Sequence, residues 1–132
     1  MEMECDVVII GGGPAGLAAG LYAARARRCV VLLERNVIGG QIALTAMIEN
    51  YPGFSDGVNG YDLAQAMLKQ AEKYGLSTMY VGALSVERTD DGRFLVKTSE
   101  GEFRTKTVIA AGGAAYKRLG VPGEDWRLLW DQ

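Results

Sequence analysis

A chain of 132 residues with 48% hydrophobic and 23% charged residues has room for one domain or part of one and is too apolar to be disordered. Its net charge of −2 offers no electrostatic footprint for nucleic acid or an anionic membrane, and the absence of histidine removes imidazole acid–base chemistry and histidine-ligated metal. No apolar run is long enough to span a bilayer, and the start Met1-Glu2-Met3-Glu4 is acidic, unlike a secretory leader, so the expected location is the cytoplasm.

The first apolar run, Cys5 to Gly11, reads as a strand. It leads into Gly11-Gly12-Gly13-Pro14-Ala15-Gly16 and then an Ala/Leu-rich helix over about Pro14–Arg27. Strand, glycine turn and helix in this order form a seat for the pyrophosphate of a dinucleotide. Gly11 permits the turn, Gly13 lets the backbone approach the phosphates, and Gly16 lets helix and strand pack closely. The anion then lies at the helix N-terminus, where free N–H groups and the dipole favour negative charge. Pro14 suits the first helical turn. Gly20 is read as a second point of close approach between helix and sheet, and Arg25, Arg27 and Arg28 match the dipole at the helix C-terminus.

A second strand, Cys29–Glu34, ends on a carboxylate at the spacing expected for an acid that hydrogen-bonds a ribose hydroxyl. That charge would repel a 2′-phosphate, which favours a nucleotide with a free 2′-OH. Spacing alone leaves NAD and FAD both open. Cys5 and Cys29 stand at the starts of neighbouring strands and are not in a CxxC arrangement. They read as two small buried hydrophobes rather than a disulfide.

After Gly39-Gly40-Gln41 comes a short helical segment to about Met47, then the turn-rich loop Glu49-Asn50-Tyr51-Pro52-Gly53-Phe54. Asn59-Gly60-Tyr61-Asp62 opens an amphipathic helix with Leu63, Ala66, Met67, Gln70, Ala71 and Tyr74 at helical spacing, stopped by Gly75. Met67 belongs to its core face rather than to a cofactor site. Ser77–Val81 reads as a strand. Ala83–Thr89, Arg93–Thr98 and Glu102–Lys106, joined by Asp91-Gly92 and Glu100-Gly101, read as an antiparallel meander inserted at about Gly82–Lys106. Thr107–Ala110 is a further apolar strand ending in Ala111-Gly112-Gly113, a second strand-to-glycine junction. The fold class is therefore α/β: a Rossmann-type, three-layer parallel sheet with a small antiparallel meander, residues 1–132 forming one partial dinucleotide-binding domain. The closing stretch from Glu124 to Gln132 holds both tryptophans and offers them little to bury against.

Taken together, Gly11–Gly16, Glu34, Gly39-Gly40-Gln41, Glu49-Asn50-Tyr51-Pro52-Gly53, Ala110-Ala111-Gly112 and Arg118-Leu119-Gly120-Val121-Pro122-Gly123-Glu124 resemble the N-terminal FAD-binding portion of the low-molecular-weight thioredoxin reductases, within the FAD-dependent pyridine nucleotide-disulfide oxidoreductases. The resemblance implies FAD. It places the pyrophosphate on Gly11, Gly13, Pro14, Ala15 and Gly16, the adenosine ribose on Glu34, and adenine beside Arg35 and the backbone of Val81. Gly40 and Gln41, with Gly39 before them, would lie along the ribityl chain and flavin, and Asn50 would reach the isoalloxazine side. Ala110, Ala111 and Gly112 stand where the family has Ala-Thr-Gly, so a threonine hydroxyl is replaced by the methyl group of Ala111.

The family continues into a Cys-x-x-Cys dithiol, an NADPH-binding domain and a closing Gly-Asp segment, none of which this sequence contains. No catalytic or metal-ligating residue is therefore assigned. The resemblance implies a parent activity that passes reducing equivalents from NADPH through FAD to a thioredoxin-like disulfide. A stand-alone dinucleotide-binding module and a fragment of a thioredoxin-reductase-type ferredoxin–NADP reductase remain open. An incomplete sheet exposes strand edges and apolar surface, so the isolated chain is expected to dimerise, aggregate or hold FAD poorly.

Overall fold

The computed structural model describes residues 2–115 and 117–122. The closing stretch, with Trp126, Trp130 and the Gly123-Glu124 end of the last motif, lies outside the described residues. The elements run β1 (Glu2–Ile10), α1 (Pro14–Arg25), β2 (Val30–Leu33), a short 3₁₀ turn (Gly40–Leu44), α2 (Gly60–Lys73), β3 (Ser77–Met79), β4 (Ala83–Arg88), β5 (Phe94–Thr98) and β6 (Gly101–Ala110).

All six strands form one mixed sheet in the order β3-β2-β1-β6-β5-β4. β3, β2, β1 and β6 are parallel neighbours, and β6/β5 and β5/β4 are antiparallel. The three-layer parallel sheet expected from sequence is thus a mixed sheet in which the antiparallel strands are hydrogen-bonded to the parallel ones. The runs Glu102–Lys106 and Thr107–Ala110 are one strand. The first half of β6 pairs with both β5 and β1, while Thr107–Ala110 pairs with β1.

Each face of the sheet buries its own core. On one face Ile9, Val30 and Leu32 pack with Leu17 and Ala24 of α1 and Leu68 and Ala71 of α2. On the other, Cys5, Val8 and Leu33 pack with Val81, Val96 and Phe103, so this core runs along the sheet from the parallel strands onto β5. Alternation along a strand explains the division. It breaks at Asp6, where the N–H groups of Asp6 and Val7 both donate to the Cys29 carbonyl at 2.9 and 3.1 Å. Cys5 consequently shares a face with Val8 instead of Val7 and Ile9.

α1 starts at Pro14 and ends where Arg27 takes a left-handed φ of 58°, two residues short of the expected end. The Arg25 guanidinium lies over the Tyr22 and Tyr74 rings at 5.9 and 5.6 Å, tying the ends of α1 and α2 together. α2 is capped by the Asn59 side chain, which accepts from the Asp62 N–H at 3.1 Å. Its buried stripe is Leu63, Ala64, Leu68 and Ala71, with Met67 packed against the core. Ala66, Gln70 and Tyr74, expected on that stripe, are exposed. Gly20 faces the side chain of Leu76, within 2.9 Å of an added Cβ, and not the sheet. Cys5 is buried as expected, Cys29 is exposed, and both are free thiols.

The β4–β5 turn is locked by Asp91, which accepts from the Thr89 hydroxyl and pairs with Arg104 on β6. The Thr89 hydroxyl bond, then the Arg104 bond, hold its pKa at about 2, below an ordinary value of 3.8. Because the folded value is the lower one, Asp91 stabilises the fold above about pH 4, and that contribution is lost as pH falls towards 2. Asp91→Asn should lower the urea midpoint at neutral pH, and the gap from the unmodified chain should close in acid. A gap independent of pH would contradict this origin.

Candidate functional site

The glycine turn follows β1 directly and sits outside the C-terminal ends of β1, β2 and β6, where open α/β sheets bind ligands. Its geometry is dictated by backbone proximity. Gly11 has φ 109°, its N–H donates to Leu33 at the end of β2, and a Cβ there would lie 2.1 Å from the Ala111 carbonyl oxygen. A Cβ on Gly16 would lie 1.8 Å from the Gly11 carbonyl oxygen. A Cβ on Gly13 would meet nothing nearer than the Gly39 carbonyl oxygen at 3.9 Å. Gly11 and Gly16 are therefore required by packing, whereas Gly13 faces open space.

Glu34 ties this turn to the end of β2. It is 8% exposed. One carboxylate oxygen accepts the Gly12 N–H at 2.7 Å and the other the Asn36 N–H at 2.8 Å. A carboxylate has about four acceptor positions, so capacity remains for a ligand hydroxyl. The Gly12 carbonyl in turn accepts the Gly39 N–H at 2.7 Å. Gly39 has φ 102°, and a Cβ there would lie 2.4 Å from that of Ala64 on α2. This links the glycine turn to the segment before the 3₁₀ turn. The Gln41 side-chain amide donates to the Ala114 carbonyl, joining that turn to the loop after β6.

These segments enclose a cavity of about 650 Å³, within the range of small-molecule sites. Of the residues expected at a site, Gly11, Gly13, Pro14, Glu34, Arg35, Gly40, Gln41, Ala111 and Gly112 line it. The others lie elsewhere. Ala15 is exposed on the first turn of α1, Gly16 is buried against Gly11, Gly39 faces α2, and Ala110 ends β6. Val81 is buried in the second core. Asn50 belongs to two shallower hollows around Glu49, Tyr51 and Ile48. Sequence reasoning overlooked Gly12, Asn36, Val37, Ile42, Leu44, Gly113 and Ala114 in the lining. Gly12 was legible within the glycine fingerprint; Ile42 and Leu44 depend on the 3₁₀ turn and had no motif.

The first turn of α1 leaves the Ala15 and Gly16 N–H groups without an intrahelical acceptor, next in sequence to Gly13 and Pro14, which line the cavity. The cavity thus offers an anion seat at one helix N-terminus, a carboxylate for hydroxyls beside it, and a largely apolar arm beyond Gly40. Among the described residues no group of histidine, cysteine or acidic side chains could hold a metal ion, and no helix is long and apolar enough to cross a membrane.

The family model described as pyridine nucleotide-disulphide oxidoreductase matches residues 5–130. The thioredoxin reductase of Bacillus subtilis (strain 168) is 41% identical over 125 residues, covering 93% of this chain and 38% of the relative. That of Peptoclostridium litorale is 44% identical over 124 residues, covering 94% of this chain and 39% of the relative. Among solved structures, the Lactococcus lactis thioredoxin reductase in its FR conformation superposes with a TM-score of 0.85 at 42% identity, over 92% of this chain and 39% of that one. The T. acidophilum thioredoxin reductase gives 0.84 at 36% identity, over 92% and 40%. The chain spans about two fifths of the length of these relatives.

Proposed function

The chain belongs to the pyridine nucleotide-disulphide oxidoreductase family, and on that premise we propose that it binds FAD as the FAD-holding portion of a thioredoxin-reductase-like flavoprotein. Membership of this family implies FAD as the cofactor. The observation that carries the reading is the continuity of one cavity from the glycine turn, past the Glu34 carboxylate, to Gly40, Gln41 and the loop after β6. Free N–H groups at the start of α1 would hold the pyrophosphate, with Gly13 giving it room. Glu34 would accept from the adenosine ribose, and Arg35 would lie along adenine, with the Val81 backbone near it. Gly40, Gln41, Ala111 and Gly112 would flank the ribityl and flavin end, where Ala111 supplies a methyl in place of a hydroxyl.

When bound, FAD supplies two-electron redox chemistry, which in the proposed parent activity carries reducing equivalents from NADPH to the disulfide of a thioredoxin-like protein. This chain's residues bind and orient the cofactor; none is placed on a proton or a thiol of that reaction. We place the protein in the cytoplasm and take a homodimer as its assembly, consistent with the exposed Ile109 on the half of β6 that pairs with β1 alone among the described residues.

Titration of the cofactor-free chain with FAD, followed by flavin fluorescence, tests this reading. We expect saturation at one FAD per chain and competition by ADP. ADP bearing a 2′-phosphate should compete about tenfold less well, since it brings a second anion to Glu34. Absence of saturable FAD binding overturns the reading, and equal competition overturns the placement of the ribose.

A further inference from the structure

The two cysteines are unused by the site, yet the fold brings them together. The β1–β2 register aligns Val7 with Val30, which sets Cys29 beside Asp6 and one residue diagonal to Cys5. A one-residue diagonal between neighbouring strands separates Cα atoms by about 6 Å, inside the range a disulfide spans. Carried back one residue before β2, the alternation of that strand puts Cys29 on the face of Val31 and Leu33, of which Leu33 belongs to the core that contains Cys5 and Val31 packs against it. Cys5 reaches that face only because the strand changes parity at Asp6, where two successive N–H groups converge on the Cys29 carbonyl. The Cys29 thiol lies 4.0 Å from the carbonyl oxygen of Glu4, the residue bonded to Cys5. One thiol is exposed and the other buried, which separates an entry point from a resolving group.

We propose that Cys5 and Cys29 are a peroxide-responsive dithiol, in which oxidation of the exposed Cys29 closes an intramolecular disulfide between β1 and β2. In the first step the Cys29 thiolate attacks a hydroperoxide. A sulfur–oxygen bond forms, the oxygen–oxygen bond breaks, and the leaving alkoxide or hydroxide takes a proton. The product is the Cys29 sulfenic acid. In the second step the Cys5 sulfur attacks that sulfur and water leaves, carrying the sulfenic oxygen and the Cys5 proton. Two thiols and one hydroperoxide give one disulfide, one alcohol or water from the peroxide, and one further water. Burial raises the Cys5 pKa, which keeps it a thiol until the neighbouring sulfur becomes electrophilic. The staple forms at the ends of β1 and β2 remote from Gly11 and Glu34.

The test treats the full chain with hydrogen peroxide under native conditions, then alkylates, digests with trypsin and weighs the products. Cleavage after Arg25 and Arg28 separates the two cysteines. The expected result is an intact mass lower by two hydrogen atoms, no alkylation at either site, and one linked pair of peptides that dithiothreitol releases. The oxidised chain should melt at a higher temperature than the reduced one. With Cys5→Ser, Cys29 should instead gain oxygen. The proposal is overturned if the unmodified chain also accumulates oxygenated Cys29 with Cys5 open to alkylation, if Cys29 links two chains together, or if the oxidised form melts lower.

Discussion

Gly16→Ala should unfold the chain at temperatures where Gly13→Ala leaves it intact, although both glycines belong to one six-residue turn. A Cβ at Gly16 is directed at the Gly11 carbonyl oxygen at 1.8 Å, and behind it at the Ile9 side chain at 3.4 Å. The oxygen is backbone, and its own residue is fixed between the ends of β2 and β6. Relief therefore requires α1 to move off β1, opening the core that holds Ile9, Leu17 and Leu32. Overpacking of this kind costs about 1–3 kcal/mol and more where backbone must shift. We expect a loss at the upper end, about 3 kcal/mol, read as a lower urea midpoint with an unchanged slope. Gly13 has φ −74° as the residue before α1, a conformation alanine adopts, and its Cβ would point into the cavity. Gly13→Ala should change stability by less than about 1 kcal/mol while weakening FAD binding about a hundredfold, because the methyl occupies space the pyrophosphate needs. Similar stability losses in the two variants would overturn the distinction drawn from their surroundings, and unchanged FAD binding in Gly13→Ala would show that Gly13 has no specific role toward the ligand.

The contrast shows what could be read in advance. Strand, glycine turn, helix and terminal acid are local features, each set by residues within a few positions of one another, and they emerge where the spacing put them. What the sequence concealed depends on distant partners. Gly20 is small because Leu76 comes up from the end of α2. Cys29 is exposed at the residue before β2 begins, and Cys5 is buried because Asp6 shifts the alternation. The alternating and the apolar run that make up β6 join at Lys106 and Thr107, where Lys106 bonds Asp6 at 2.7 Å and the Thr107 hydroxyl donates to the Asp6 carbonyl at 3.0 Å, contacts to a residue 100 positions away that no local pattern announces. Asn50 carries a strong motif, yet it lies in the loop between the bridged residues Ile48 and Val58 and lines two hollows next to the cavity, one of which shares Ile42 with it. Motif membership identified the family without fixing that residue's distance from the cavity.

Glu34→Gln should damage the protein twice, in stability and in cofactor binding, by amounts that separate its two roles. In the unmodified chain each carboxylate oxygen accepts one backbone N–H, from Gly12 and from Asn36. An amide can present oxygen to only one of them and must turn its NH₂ towards the other. The Gly12 bond is buried, so the side chain should keep its oxygen there and leave the Asn36 N–H facing a donor. Losing a charged acceptor from a buried pair costs about 1–3 kcal/mol, and the midpoint of unfolding should fall accordingly. Binding should fall as well, by about tenfold or more, because the remaining acceptor position for a ribose hydroxyl goes with the charge. Its selectivity should change in a way that no structural loss reproduces: the handicap of ADP bearing a 2′-phosphate should shrink once the carboxylate no longer repels it. Glu49→Gln, outside the lining of the cavity, should do none of these things. If Glu34→Gln lowers stability yet leaves both affinity and the 2′-phosphate handicap untouched, Glu34 serves only to hold the glycine turn, and the adenosine end of the cofactor must lie elsewhere along the cavity.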